Sequence, residues 1–463
     1  MGLNYLVQFF RLNKVLAIIV LAGTSISCSL NSEDVVEASF NLRFSTDTVF
    51  FDTIFSEIPS VTKRLKVYND LNSSVNISSI HIDDPNTPYE LTINGIEGTQ
   101  FEDTRILAND SLLVLLKANI IDRDSLDPYV IENKLIFDKK DSEQEVFIFS
   151  WGQDANFIKD SVLACNTTWS KGKPYVVYNH MLVDSLCTLT IEPGTRIFSH
   201  IGSNIYIKGT INATGTPEER ILFMNDRFDG NYSLYPGQWG GIIFLEGSKG
   251  NKVSYTDILN SEIGIWLGTP DDDEEPDLVL ENSSIVNASE ACLLGFTSDL
   301  EMTNCLLTNA GQMVFAGLAG GNYTLNHNTI TNYSYGFFKN QPTVYVSMEL
   351  ELNDGTILQA PVKLNLYNNI IWGISPDEIE LYDLNSKSFY LTMSNNLLRT
   401  TNEFLNQANN ILNKDPLFID PSVFDFQLDT LSPAVDAGLD IGITIDFNGN
   451  PRSVPPDIGA FER

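Results

Sequence analysis

Six short stretches of this sequence are imperfect copies of one another, and they constrain the fold more than any other feature. Each copy begins with an apolar residue and places a second apolar residue five positions later. The copies begin at Val253, Leu280, Met302, Leu325, Leu366 and Met393, and the second apolar positions are Ile258, Ile285, Leu307, Ile330, Ile371 and Leu398. They start 22 to 27 residues apart, except for one interval of 41 residues before Leu366. Repeats of this length without helical periodicity predict a solenoid in which each copy is one turn.

The coils of a parallel β-helix account for this repeat better than leucine-rich repeats, which need several leucines at fixed places. Successive coils stack about 4.8 Å apart, so equivalent residues are predicted to lie directly above one another. Between the two apolar columns runs a column of small or amide residues: Thr256, Ser283, Cys305, Asn328, Asn369 and Asn396. Such residues adopt the left-handed backbone conformation at bends, and stacked amides hydrogen-bond along a column. The sequence therefore predicts that this column forms a bend carrying a polar ladder.

A second strand is predicted in four of the coils, because apolar residues recur ten positions after Tyr255, Asn282, Asn304 and His327. These recurring residues are Ile265, Cys292, Val314 and Phe337. The interval of 41 residues contains alternating apolar residues around "NDGT", which predict an inserted β-hairpin. An acidic insertion, residues 268–277, leaves the coil at a different turn, and such insertions often form the binding face of a solenoid.

The rest of the chain divides into further segments. Residues 46–155 alternate short β-rich runs with turns and predict an immunoglobulin-like antiparallel β-sandwich. Residues 156–400 contain the predicted right-handed parallel β-helix. Residues 401–463 depart from the repeat and are expected to cap its end, because an open coil would expose apolar side chains and strand edges. The predicted fold class is all-β.

The N-terminus has the pattern of a secretory signal. Two basic residues precede the apolar run "VLAIIVLAG", which is too short to span a bilayer, and small residues then lead to Cys28. Cys28 resembles the acylated cysteine of a bacterial lipobox, with plain secretion as the alternative. We therefore expect residues 1–28 to be a lipoprotein signal, residues 29–45 to be a flexible tether, and the chain to be a surface-exposed lipoprotein anchored in the outer membrane.

Charge and cysteine content agree with an exported protein. The net charge of −32 excludes nucleic acid and anionic membrane surfaces as partners, because both need patches of Lys and Arg. Cys165 and Cys187 flank one segment and are predicted to form a disulfide in oxidising surroundings. Cys292 and Cys305 fall in different columns of the repeat and are expected to be small buried residues.

The C-terminal run "SPAVDAG…DFNGNPR…PPDIGAFE", together with "PGQWGGIIF" and "KPYVVY…LTIEPGT" upstream, carries a family resemblance. These stretches resemble right-handed parallel β-helix lipoproteins of Bacteroidetes-type bacteria, within the pectate-lyase-like superfold. The resemblance covers about residues 160–463. Some β-helix relatives are polysaccharide lyases or glycosidases, so the resemblance implies contact with glycans without implying catalysis.

No catalytic constellation is evident in the repeat. A glycosidase needs two or three carboxylates that face one bond, and a lyase needs a Lys or Arg base. Asp257 and Glu281 are the carboxylates within strands, but they fall in different columns. The basic residues of the coils are scattered, namely Lys252, Lys339 and Lys363. His327 belongs to the corner column, and the chain has only four His residues, so we expect no zinc centre and no histidine acid–base site.

Two stretches are candidates for Ca²⁺ binding, and no other cofactor is predicted. One is the acidic run that contains Asp271, Asp272 and Asp273, for which a solvated charge run is the favoured interpretation. The other is "DFNGNPR", with Asp446, Asn448 and Asn450, for which turn chemistry is favoured.

Four aromatic residues are candidates for glycan binding, with core packing as the alternative: Trp266, Tyr333, Tyr335 and Trp372. The sequence favours a binding or structural module that contacts glycans without catalysis. The alternatives are a polysaccharide lyase or glycoside hydrolase acting along the β-helix groove, and a purely structural adhesin or spacer. The expected partners are the membrane, through the lipid anchor, and polysaccharides or envelope proteins.

Overall fold

The computed structural model describes residues 35–228, 230, 232–268 and 275–463. Within these ranges the fold is all-β, and the only helices are short 3₁₀ turns at Tyr232–Leu234, Glu403–Leu405 and Pro421–Val423. None of the helices in these ranges has the length and apolar character needed to cross a bilayer. The chain forms two compact units, and the second consists of Asp52–Glu57, Ile121–Tyr129 and Trp151–Arg463.

Most residues of two β-sheets belong to the first unit. One contains the strands Val35–Val36, Thr48–Phe55, Ser74–Ile82, Gln100–Ile106, Tyr129–Asp138 and Glu143–Gln153, and the other contains Arg43–Phe44, Lys63–Tyr68, Tyr89–Ile93, Ile96–Gly98 and Ser111–Ala118. Alternate side chains of Ser111–Ala118 are buried, as expected for a strand that covers a core with one face. Rings from the two sheets meet inside this core, where Phe44 and Phe137 have centroids 4.9 Å apart. The predicted sandwich architecture agrees with this arrangement.

The second unit is a parallel β-helix with three faces, which we name sheets A, B and C in the order in which each coil visits them. Sheet A contains Asn204–Ile207, Gly241–Phe244, Ile263–Leu267, Val344–Val346 and Ile379–Leu381. Sheet B contains Thr167–Trp169, Thr188–Ile191, Thr210–Thr214, Asn251–Ser254, Leu278–Glu281, Val362–Tyr367 and Phe389–Ser394. Two long strands, Ala291–Thr303 and Phe315–Asn326, belong to sheet A in their first half and to sheet B in their second.

Sheet C completes each coil. It contains Arg196–Ser199, Ile221–Asn225, Thr256–Leu259, Ser284–Ala288, Leu306–Ala310, Thr329–Asn332, Ile370–Gly373, Leu397–Leu398 and Ile411–Leu412. The first strands, Asn156–Val162 and Tyr175–Val183, bend from sheet C into sheet A. The first strand of the helix begins at Asn156.

The predicted stacking of the repeat is confirmed. The first apolar column, Val253 to Met393, pairs rung by rung along sheet B, and the second, Ile258 to Leu398, does so along sheet C. Both columns point into one continuous core. Full burial of such an apolar side chain stabilises the fold by about 1.5–3 kcal/mol.

The bend between sheets B and C lies one residue earlier than predicted. Positive φ angles occur at Tyr255, Asn282, Asn304, His327, Asn368 and Asn395, with values from 46° to 57°. The next residue in each coil points into the stack and forms the predicted ladder. Asn328 Nδ2 donates to Asn369 Oδ1, and Asn369 Nδ2 donates to Asn396 Oδ1, both at 3.0 Å. The polar ladder is thus confirmed. The prediction that the ladder residues themselves have the left-handed conformation was wrong. That conformation belongs to the residue before each of them, whose side chain points outward.

The predicted apolar column on sheet A is also shifted. Ile265 pairs with Leu293 rather than Cys292, and Leu293 pairs with Phe315 rather than Val314. Phe337 lies in the loop between sheets C and A, outside any strand. The fixed spacing of ten residues fails because these loops differ in length from coil to coil.

The insertion around "NDGT" forms the predicted hairpin. Glu349–Glu351 pairs antiparallel with Ile357–Gln359, and the hairpin leaves the helix between a strand of sheet A and a strand of sheet B.

The C-terminal residues mainly cover the side of sheet C rather than the end of the helix. The last coil ends at Ile411–Leu412, and Leu405 is fully buried beside it. Further along, the hairpin of Phe418–Asp420 and Asp425–Leu428 and the final residues form a second core. There Phe426, Ile458 and Phe461 pack with the outward side chains of sheet C, among them Leu306, Ile370 and Trp372. The C-terminal cap thus lies mainly beside sheet C, because several outward side chains of that sheet are apolar in these coils.

Candidate functional site

The outer face of sheet B is polar over eight successive rungs. One outward column runs in register through Thr190, Asn212, Lys252, Val279, Glu301, Thr324, Asn365 and Thr392. All of these residues except Val279 carry a polar group. Because side chains alternate between the two sides of a strand, the polar column lies directly outside the buried apolar column of the same sheet.

A polar groove of about 320 Å³ lies in the middle of this face, and it is the candidate site. It is lined by Pro276, Asp299, Leu300, Glu301, Asn322, Thr324, Lys363 and Asn365. Three consecutive coils supply its polar residues, and Pro276 comes from the coil before them. Asp299 and Glu301 are two positions apart on one strand and both face outward, while Leu300 between them is buried.

Hydrogen bonds fix part of the groove. Asn322 Nδ2 donates to Asp299 Oδ1 at 2.8 Å, and Asn365 Nδ2 donates to Thr324 Oγ1 at 3.1 Å. The backbone N–H of Asp299 donates to Asp277 Oδ2 at 2.8 Å, which joins this strand to the preceding turn. The bonds connect neighbouring coils, so the groove is preorganised before any ligand binds.

An aromatic residue follows the groove on the next rung. Asp299, Asn322, Lys363 and Tyr390 pair in register along sheet B. Tyr390 is 61% exposed. Its ring offers an apolar face beside a set of hydrogen-bonding groups, which is the combination that small polar ligands with one apolar face require.

The four predicted aromatic residues do not form one site. Trp266 points outward from sheet A. Trp372 is buried in the core under the C-terminal residues, with the Arg399 guanidinium 5.2 Å from its ring centroid. Tyr333 and Tyr335 stack on each other with centroids 6.1 Å apart, and Tyr335 also meets the edge of Phe424. Trp372, Tyr333 and Tyr335 therefore take part in packing the C-terminal cover.

The carboxylates and bases named from the sequence lie on different faces. Asp257 faces outward on sheet C, where it accepts two hydrogen bonds from Arg220 at 2.8 Å. Glu281 lies on sheet B, 3.1 Å from Lys252. Lys339 is buried against Glu378 in a loop, and burial lowers the pKa of Lys339. Of the three scattered lysines, Lys363 is the one in the groove.

The "DFNGNPR" candidate is built as a turn. Asp446 is buried, and its Oδ1 accepts hydrogen bonds from the backbone N–H groups of Asn448 and Asn450 at 2.9 and 2.8 Å. Its Oδ2 accepts from the N–H of Glu462 at 3.0 Å. Both oxygens are thus engaged by the turn itself. In the described part of the chain, no group of three or more His, Cys, Asp and Glu residues is arranged to hold a metal ion.

The cysteines occupy three kinds of position. Cys165 and Cys187 are joined by a disulfide. Cys292 and Cys305 are free and fully buried, and burial raises the pKa of each thiol to about 12. Cys28, like Asp271, Asp272 and Asp273, lies outside the described residues.

Sequence reasoning missed most of the groove, although a signal for it was present. From Lys252 onward, each residue of this column immediately precedes a residue of the first apolar column, as Glu301 precedes Met302 and Thr324 precedes Leu325. Extending the repeat alignment by one position would therefore have revealed a polar track interrupted at Val279.

One comparison with known protein families supports the fold. A family model described as a right-handed β-helix region matches residues 176–330. Solved structures with local similarity include a protein of unknown function from Porphyromonas gingivalis W83, at 12% identity and a TM-score of 0.17, covering 26% of this chain and 59% of that one. Another is a family 123 glycoside hydrolase from Clostridium perfringens, at 7% identity and a TM-score of 0.18, covering 27% of this chain and 30% of that one. No curated protein sequence matches the chain. The second unit is a right-handed parallel β-helix.

Proposed function

We propose that this protein binds glycans through the polar groove of sheet B. The observation that carries the proposal is the convergence of carboxylate, amide, hydroxyl and ammonium groups from three coils beside the exposed ring of Tyr390. A sugar presents hydroxyl groups around its edge and an apolar C–H face. The groove offers hydrogen-bond donors and acceptors for the first and an aromatic platform for the second.

The length of the polar column suits a linear ligand. Its eight rungs extend from Thr190 to Thr392, and stacked strands repeat about every 4.8 Å. A chain molecule lying parallel to the helix axis would meet a new polar side chain at every rung except that of Val279. We therefore propose a linear polysaccharide segment as the ligand.

We also propose that the protein acts at the cell surface as a lipoprotein of Bacteroidetes type. The secretory pattern that ends at Cys28 and the C-terminal sequence resemblance support this location. Cys28→Ala is expected to release the protein from the membrane fraction, whereas unchanged retention after a carbonate wash would contradict a lipid anchor.

The groove can be tested with a glycan array followed by titration calorimetry of the full chain with oligosaccharides of increasing length. We expect affinity to rise with length, and Tyr390→Ala to weaken binding by about tenfold, which corresponds to about 1.4 kcal/mol. Tyr235→Ala is the matched control, because Tyr235 is also an exposed tyrosine but lies outside sheet B. Equal binding by both variants would rule out the groove as the site.

Cleavage of the bound glycan is the second candidate, because Asp299, Glu301 and Lys363 share the groove. Neighbouring outward residues of one strand are about 6.8 Å apart at their Cα atoms, a spacing compatible with two carboxylates flanking one sugar linkage. Release of reducing or unsaturated ends that disappears in Glu301→Gln would support a hydrolase or lyase. Retained binding without any release would favour the binding function.

A further inference from the structure

The outer face of sheet A is apolar, in contrast to that of sheet B. One outward column passes in register through Leu182, Tyr206, Ile243, Trp266, Leu294, Ala316 and Tyr345. Phe296 and Leu318 extend it sideways on two adjacent coils. We call these nine residues the apolar stripe.

The large side chains of the stripe are accessible to solvent, whereas Ala316 is fully buried. Trp266, near its centre, is 37% exposed, and the other large side chains of the stripe are half-buried. A stripe of this kind, rimmed by polar residues, is typical of a protein interaction surface, because monomeric proteins rarely leave extended apolar patches open. Large aromatic side chains are also enriched in such surfaces.

One edge of the stripe is acidic. At the corner between sheets C and A, Glu262, Glu290 and Gln312 occupy equivalent places on three coils and are exposed. Backbone hydrogen bonds of 2.9 Å run from Glu290 N to Glu262 O and from Gln312 N to Glu290 O, so these residues stack in a column beside the stripe. At the far end, Glu380 is the next rung after Tyr345.

The opposite edge is mixed. At this edge, which follows the strands of sheet A, Glu246 is exposed, and Lys208 and Lys249 lie in coils that precede Trp266 in the chain. Acidic residues therefore line the corner between sheets C and A, and the insertion that follows Leu267, residues 268–277, is also acidic in sequence. A ligand that combines an apolar surface with positive charge would fit this composition.

We propose that the apolar stripe and its acidic edge bind a basic amphipathic segment of a partner protein. Apolar side chains of that segment would cover Trp266 and Leu294, while its Lys or Arg side chains would lie beside Glu262 and Glu290. The stripe has few hydrogen-bonding groups, which disfavours a sugar. A second copy of this chain would bring its own net charge of −32 and is disfavoured by repulsion.

The test uses the full chain and two fluorescent synthetic peptides of equal length and equal positive charge. One is an amphipathic Lys/Leu peptide, and the other is a Lys/Ser peptide. Fluorescence anisotropy is expected to show at least about tenfold tighter binding of the Lys/Leu peptide. The double variant Trp266→Ser with Leu294→Ser is expected to remove this preference. Circular dichroism checks that the variant remains folded.

The acidic edge is tested separately. Glu262→Gln with Glu290→Gln is expected to weaken binding of the Lys/Leu peptide severalfold at low salt, with a smaller effect at high salt, where charges are screened. Glu192→Gln with Glu218→Gln is the matched control, since it makes the same change in net charge at two other exposed glutamates. The control is expected to have the weaker effect.

Three results would overturn the proposal. The first is equal binding of the two peptides, or an equal effect of the two glutamate pairs, which would indicate general attraction to a negatively charged protein. The second is a dimer in sedimentation that Trp266→Ser dissociates. The third is loss of glycan binding in Trp266→Ser, with binding retained in Tyr390→Ala, which would assign the sugar to sheet A and would also contradict the groove on sheet B.

Discussion

Sheets A and C both carry apolar side chains on their outer faces, but these side chains differ in what covers them. On sheet C, the side chains of Leu306, Ile370 and Trp372 are buried under the C-terminal residues. On sheet A, Trp266 remains exposed in the middle of a continuous apolar column. The chain thus covers one apolar face with its own C-terminal segment and leaves the other accessible. Sheet B has a polar outer face, which water can solvate without any cover.

The cover on sheet C is fastened through the left-handed column of the bend. Asn282 Nδ2 donates to the carbonyl of Asp446 at 2.5 Å, and Asn395 Nδ2 donates to that of Ala437 at 2.9 Å. Asn368 exchanges two hydrogen bonds of 2.8 Å with the backbone of Leu439. The outward amides of this column therefore bind the C-terminal segment, and the inward amides of the next column form the ladder.

The largest effect is expected from releasing the cover of sheet C. Arg452 is almost fully buried; it donates to Asn304 Oδ1 at 2.8 Å and to Glu462 Oε2 at 3.1 Å. Arg452→Met removes the cationic partner of the buried Glu462 carboxylate, which is expected to cost about 3–5 kcal/mol. Urea unfolding measures this loss, and increased binding of an apolar dye would show that sheet C has been uncovered.

Arg64→Met serves as the control for that experiment, because Arg64 is an exposed arginine on a strand of the first unit. Its expected effect is within about 0.5 kcal/mol. A similar small loss in Arg452→Met would mean that the C-terminal cover is not held by the buried guanidinium.

A smaller loss of stability is expected from shortening a core leucine, and a still smaller one from shortening a leucine on the outer face of sheet A. Leu325 is fully buried in the core and Leu318 is half-buried on the outer stripe, and both lie on the strand Phe315–Asn326. Leu325→Ala is expected to lower the free energy of unfolding by about 3 kcal/mol because it creates a cavity, and Leu318→Ala by less than about 1 kcal/mol. Equal losses would show that the stripe contributes to the core and is not a free surface.

The smallest effect concerns acid stability under the cover. Burial, and then the charge of Arg452, lower the pKa of His327 to about 3. The neutral ring accepts a hydrogen bond at Nε2 from Asn368 Nδ2 at 2.7 Å. Because the folded-state pKa lies below the ordinary value of about 6.5, the neutral ring contributes stability above pH 6.5 that is lost as the pH falls towards 3.

His327→Asn is expected to remove this dependence, since Asn already occupies the equivalent left-handed positions 304 and 368. Urea midpoints at pH 6.5 and 4.5 should show that the variant loses about 2 kcal/mol less than the natural protein. Equal losses of stability in the variant and the natural protein would show that the acid sensitivity arises from groups other than His327.

The sequence alone determined the β-helix, its buried columns and its polar ladder. Strand geometry places alternate side chains on opposite sides, and stacking repeats the pattern from coil to coil. Apolar residues such as Leu280, Met302 and Leu325 therefore mark the core directly in the sequence, and the residue before each of them marks the outer face of sheet B.

The tertiary structure alone decided how the faces are used. The groove brings Asp299 together with Lys363, and the hairpin inserted between their coils hides that alignment in the sequence. Loops of unequal length shift the column of sheet A, so Trp266 and Leu294 are not recognised as neighbours. The placement of the C-terminal segment depends on hydrogen bonds such as that between Arg452 and Asn304, which join residues far apart in the chain. The periodicity of the sequence follows from local backbone geometry. The contacts between distant residues depend on which surfaces come together when the coils have formed.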